Sequence, residues 1–294
     1  MNNTVYVAET GLNRVRIWLN GSTIPSRTIN GSLISPFAVL ATTTGVICID
    51  NGGINHRVDK WTLNATNGNI KMYVTGTCYG LFVDIYNDFY CSTELPHIVT
   101  KKLMIDNANT TIFVAGSAIA SGLTSDWLFQ PRGIFVNINL DLYVADCGNH
   151  RIQLFRSGER NGTTIAGQGA PGTITLDSPT GIVLDANDNI FIVEHRNHRV
   201  VRSTPGGFRC ILGCTSTFGF GSNQLNYPHA LSFDSNGNIF VADTFNNRIQ
   251  KFLLATNSCG KYFELIFALL LSAYEHYLFL LRIFNSRSRL RIEL

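Results

Sequence analysis

One short phrase returns six times along this chain, and that recurrence restricts the fold more than any other feature. Its clearest copy is FVADTFNNRIQKF, residues 240–252, with relatives YVADCGNHRIQLF from Tyr143, FIVEHRNHRVVRS from Phe191 and YVAETGLNRVRIW from Tyr6. ICIDNGGINHRVDKW from Ile47 carries two extra residues in its turn, and YCSTELPHIVTKK from Tyr90 is the most divergent copy. The lead residues at 6, 47, 90, 143, 191 and 240 set a period of 41 to 53 residues. Such a period denotes stacked supersecondary units rather than one continuous fold.

Each unit reads as antiparallel strands. In residues 131–167, Gly133 to Val136 and Leu142 to Ala145 are apolar runs, Ile152 to Phe155 alternates, and Thr164 to Ala166 closes the unit. The segments NINLD, DCGNH and GERNG separate these runs with the residues that hairpin turns require. Four strands per unit and six units predict an all-β, six-bladed β-propeller.

The units also carry Pro131-Arg132-Gly133-Ile134, Pro179-Thr180-Gly181-Ile182 and the degraded Pro228-His229-Ala230-Leu231. With the Y-V-A-D and N-H-R-I strands, these motifs resemble the NHL-repeat propellers over roughly residues 3–258. The resemblance implies a propeller domain at 1–258 acting as a non-enzymatic scaffold for a protein or peptide partner, as a monomer. Relatives that act as ubiquitin ligases carry a RING domain ahead of the propeller, and this chain shows no RING or B-box.

Composition fits a strand- and turn-rich globule, since only 15% of the 294 residues are charged and 26 are glycine. A formal net charge of +3 gives no strong steering toward nucleic acid or anionic membrane. No Gly-rich phosphate loop, G-x-S-x-G or Cys/His nucleophile arrangement stands out.

Residues 1–5 enter the first YVAE strand without a secretory signal, and blade one lacks its own P-x-G-I strand. In closed propellers the opposite terminus often supplies the missing strand. The tail, 259–294, holds no P-x-G-I, so the ring is expected to be incompletely closed. The tail itself reads as an apolar helix, a membrane segment at 263–281 or a gene-model artefact. Glu264, Glu275 and His276 interrupt that window, and Arg282, Arg287, Arg289 and Arg291 would set the C-terminus in the cytoplasm.

Six Asn-x-Ser/Thr triplets head at Asn2, Asn20, Asn30, Asn64, Asn109 and Asn161. They make a glycoprotein, extracellular or membrane-associated, the expected setting. Cys78 with Cys91, and Cys210 with Cys214, are the candidate disulfides, while Cys48, Cys91 and Cys147 also read as small apolar residues near strand ends.

Arg14, Arg57, Arg151, Arg199 and Arg248 fill one repeated slot at a channel mouth. As a free ring of guanidinium groups they would capture an acidic partner. The favoured reading pairs each with the acid ending the preceding strand: Glu9, Asp50, Asp146, Glu194 and Asp243. The divergent blade supports this, because Thr93 and Ile98 lose acid and base together.

His56, His97, His150 and His198 share the neighbouring slot, and His229 replaces the glycine of an inner strand. Peptide-amidating lyases are similar propellers that hold zinc with histidines from several blades, so a metal-dependent enzyme is the first alternative. The runs Asp185 to Asn189 and Asp234 to Asn238 look like calcium loops but lack the later Glu, which favours turn chemistry. No metal or cofactor is therefore expected, with zinc or calcium the alternative. An RNA-binding propeller is the second alternative, disfavoured because no Lys/Arg cluster precedes the tail. Loop-borne Trp127, Phe129, Phe218 and Phe220 favour a protein partner.

Overall fold

The computed structural model describes residues 4–253 except 20–21, 43–44, 66, 104–110 and 171, together with strands at 277–278, 282–283 and 291–293. Six antiparallel sheets follow one another along the chain, one for each copy of the repeated phrase. Blade four is representative, with strands Pro131–Val136, Leu142–Asp146, Arg151–Phe155 and Thr163–Gly167 paired in order. All-β architecture and six blades are as the repeat predicts.

The second strand of a blade is buried on both faces, as in Val5–Glu9, Phe89–Thr93 and Leu142–Asp146. Its side chains alternate between the two adjacent blades. Leu142 and Val144 pack with Phe82 and Tyr90 of blade three, whereas Tyr143 and Ala145 pack with Ile182 and Ile192 of blade five. Six such apolar clusters fill the six interfaces. One of them joins Val5, Val7 and Trp18 of blade one to Phe240, Ala242 and Ile249 of blade six.

Side-chain packing between the first and last blades thus closes the ring, where incomplete closure was expected. Main-chain pairing adds to it: Arg282–Ile283 runs parallel beside Val5–Glu9, and Arg291–Glu293 runs parallel beside Arg248–Phe252. Such short pairings need only backbone donors and acceptors, so they leave no side-chain pattern in the sequence. Tyr277–Leu278 forms a strand against Val39–Thr42. The rest of the apolar window 263–281, and with it the expected helical tail, lies outside the described residues. Among the described residues no helix is long and apolar enough to cross a membrane.

Hairpins between the first and second strands share one device. A side-chain oxygen of Asp84, Asn137, Asp185 or Asp234 accepts the amides two and four residues on, at 2.8–3.0 Å. The residue between, Asn87, Leu140, Asp188 or Gly237, has positive φ. The two suspected calcium loops are therefore turns whose acids are engaged by backbone N–H groups. A base from the third strand completes each: Lys101 on Asp84, Arg156 on Asp141, Arg202 on Asp185 and Lys251 near Asp234.

The glycine of P-x-G-I answers to crowding at the axis. A Cβ on Gly133 would lie 2.6 Å from the Thr180 carbonyl oxygen and 2.9 Å from Gly181 Cα, both backbone of the next inner strand. Gly133→Ala is expected to destabilise the fold by about 1–3 kcal/mol, the usual cost of overpacking. Urea unfolding checks this; an unchanged midpoint would mean the inner strands are not packed so tightly.

Candidate functional site

The turn between second and third strands builds the face on which functional residues were sought. In blade four, Leu142–Asp146 delivers the acid, a 3-10 turn at Cys147–Asn149 reverses the chain, and Arg151–Phe155 returns. Asp146 accepts the Phe129 amide at 2.7 Å, the Asn149 side-chain amide at 2.8 Å and Arg151 Nε at 2.7 Å. The same guanidinium donates onward to the carbonyls of Leu123, Thr124 and Trp127 at 2.8–3.0 Å. Acid, asparagine and arginine form a clamp on the loop that enters the blade.

Blade six repeats the clamp. Asp243 accepts from Asn226 N, Asn246 and Arg248, and Arg248 reaches the carbonyls of Phe220, Gly221 and Gln224. In blade five Glu194 takes Asn197, Arg199 and the Asp177 amide. In blade one Glu9 pairs with both Arg14 and Arg16.

Blade two departs from the expected pairing. Arg57 bonds Asp59 at 2.8 Å, while Asp50 accepts the backbone amides of Phe37 and Cys78. The inserted residues form the one-turn helix Gly52–Asn55, after which Asp50 faces Val58 across the ladder. Asp146 faces Arg151 and Asp243 faces Arg248, so the insertion slips this register by one residue. Nor do the arginines form a free ring at the mouth: Arg151 and Arg248 are only 4% and 8% exposed and are bound to the clamps.

The histidine slot joins neighbouring blades. His97 Nδ1 accepts the Gln130 amide at 3.2 Å, His150 Nδ1 that of Ser178 at 3.0 Å, and His198 Nδ1 that of Tyr227 at 3.0 Å. Blade one does the same with Asn13 Oδ1 and the Ser35 amide at 2.7 Å. An accepting Nδ1 requires the neutral ring with its proton on Nε2. His56 holds the left-handed position that ends Gly52–Asn55. Among the described residues no group of three or more His, Cys, Asp or Glu is arranged to hold a metal ion.

What does converge at the mouth of the channel is the second residue of P-x-G-I. Phe37, Tyr79, Arg132, Thr180 and His229 occupy this slot in successive blades. The Arg132 guanidinium pairs with Glu94, lies 3.0 Å from His229 Nε2 and covers the Tyr79 ring at 5.1 Å. His195 Nδ1 lies 3.0 Å from the Pro228 carbonyl, to which it donates. Burial, aided by Arg132, His198 and Arg196, pushes the His195 pKa down to about 4. Of these residues the sequence reading singled out only His229; reading the same slot in every blade finds Phe37, Tyr79, Arg132 and Thr180.

The remaining candidates take separate places. Cys78 is bonded to Cys91 with Cα atoms 5.3 Å apart, and Cys210 to Cys214 at 5.6 Å, while Cys48 and Cys147 are free and buried. Asn30, Asn64 and Asn161 are exposed outside the strands; Asn2, Asn20 and Asn109 lie outside the described residues. Phe129, Phe218 and Phe220 are exposed, whereas Trp127 is half-buried with its carbonyl held by Arg151.

The NHL repeat family matches residues 130–155 and 225–252, which span parts of blades four and six. No curated protein sequence matches the chain. Solved structures resemble it in fold. A structural genomics protein of unknown function from Bacteroides thetaiotaomicron is 13% identical, covering 82% of this chain and 67% of its own at a TM-score of 0.60. A structure of a nidogen/laminin complex is 14% identical over 85% and 88% at 0.61. A catalytically inactive virginiamycin B lyase from Staphylococcus aureus, with quinupristin, is 14% identical over 88% and 85% at 0.57.

The buried imidazoles make stability depend on pH. Burial depresses His195, His97 and His198 below the ordinary histidine value, so the unfolded chain takes up protons first as pH falls. Their contribution is full above about pH 6.5 and is lost on descent toward pH 4. For His195 alone the expected loss between pH 7 and pH 5 is about 2 kcal/mol. Urea midpoints at the two pH values check this, and His195→Gln should flatten the difference; an equal slope in the variant would exclude His195 as a source.

Proposed function

We propose, from the premise that the chain is an NHL-repeat propeller, that it is a non-enzymatic module binding a protein or peptide on the face of its second-to-third-strand turns. One observation carries this reading. The polar residues repeated on that face are occupied by the fold, whereas its apolar side chains are not. Leu95 and Phe245 in the turns, with Leu123, Phe129, Phe218 and Phe220 in the inter-blade loops, are all exposed around the mouth. Exposed apolar groups gathered on one face are the usual mark of an interaction surface.

The fold alone does not choose between binding and catalysis. One similar structure is of a nidogen/laminin complex and another of a lyase with quinupristin. The favoured reading therefore rests on the side chains. The histidines at 97, 150 and 198 have Nδ1 committed to backbone amides of the next blade, which suits them to cement rather than catalysis.

Metal content measured by mass spectrometry on the purified chain tests the non-enzymatic reading, with thermal melting before and after chelation. The expected result is no stoichiometric metal and an unchanged melting temperature. A stoichiometric, stabilising zinc or calcium would overturn it in favour of a metal-dependent enzyme.

An extracellular or luminal setting is part of the same proposal. Exposed triplets at Asn30, Asn64 and Asn161 and the two disulfides support it. Endoglycosidase treatment of the protein expressed in a secretory host should increase its mobility on a gel; unchanged mobility would count against glycosylation.

A further inference from the structure

We infer that the channel mouth takes an extended acidic peptide, with a carboxylate side chain bound beside Arg132 and Arg196 and apolar neighbours laid on a radial ladder of rings. This rests on the binding-module reading and names the chemistry of its ligand.

The ladder starts at the axis. Phe37 and His229 meet with ring centres 5.4 Å apart, His229 and His195 at 6.0 Å, His195 and Tyr227 at 5.0 Å. Tyr227 then touches Phe245 at 4.7 Å, and Phe245 is 57% exposed. A branch through His198, 4.5 Å from Tyr227, ends at exposed Phe218. Aromatic rows of this kind accept apolar or proline side chains of an extended peptide, each ring offering large area at low conformational cost.

The charge of the ligand follows from what is already neutralised. Glu9, Asp146, Glu194 and Asp243 are bound in the clamps, and Glu94 is paired with Arg132. Arg196, exposed on the turn after Glu194, has no ion pair among the described residues and acts on His195 and Cys147 together with Arg132. The mouth therefore carries surplus positive charge, which complements a carboxylate.

A second observation points to a ligand oxygen. Thr180 occupies the inner slot between those of Arg132 and His229, and its buried hydroxyl has no hydrogen-bond partner among the described residues. Buried hydroxyls are almost always satisfied, and an acceptor entering the mouth would satisfy this one. Single-stranded nucleic acid also stacks on rings, but it needs a basic track along its phosphates, and one unpaired guanidinium is not such a track.

The test is selection of a random peptide display library on the immobilised full chain, followed by fluorescence anisotropy with a synthetic peptide from the enriched pool. Enriched peptides are expected to place Asp or Glu beside Phe, Trp or Pro. Arg196→Glu should weaken that peptide about tenfold, with the melting temperature unchanged, and a lysine in place of the peptide's acid should recover affinity for this variant. Phe245→Ser should weaken binding by a similar factor. Enriched peptides without acids, or an unaffected Arg196→Glu variant, would overturn the inference and leave the binding-module reading in place. An oligouridine probe that outcompetes the peptide would overturn it in favour of nucleic acid. If no peptide is enriched on the wild-type chain, the inference and the binding-module reading fall together.

Discussion

The ring depends on a charge pair that is nearly dry. Asp146 with Arg151, and Asp243 with Arg248, sit at the end of a hairpin where each carboxylate is buried. Such a pair is worth little by Coulomb attraction alone, because both ions give up water. Here each ion has further partners: the acids take a backbone amide and an asparagine, and the arginines take three loop carbonyls. The pair converts an otherwise unsupported inter-blade loop into a fixed wall. Removing either ion would leave the other buried and unpaired, the expensive case of about 3–5 kcal/mol.

Because the clamps hold the loops from below, the loops can carry apolar side chains outward. Phe220 illustrates the division within a single residue: its carbonyl is bound by Arg248 while its ring is 74% exposed. Phe129 does likewise, its amide on Asp146 and its ring at the surface. Backbone rigidity with exposed side chains is the condition for a preorganised binding face, since little ordering entropy remains to be lost on contact.

Much of this was legible in the sequence for a local reason. Hairpin turns and two-residue alternation leave their marks within a few positions, and the acid and arginine of the clamp stand five residues apart across one turn. The departure in blade two shows where that reasoning ends. ICIDNGGINHR keeps both residues, yet the extra turn residues shift the ladder so that Arg57 meets Asp59 instead. The histidines show another boundary, because their repetition is as visible as that of the arginines but their partners belong to the next blade.

The sequence by itself determined the number of blades, the strands within each and the residues available to every turn, since these follow from short-range pattern and backbone sterics. Tertiary structure alone decided what meets across blades. Arg132 lies beside His229 although 97 residues separate them, and Arg151 grips a loop more than 20 residues before it. It also decided closure, through the packing of Val5, Val7 and Trp18 on Phe240 and Ile249. These contacts depend on how six twisted sheets pack around one axis, a geometry that no local run of residues encodes.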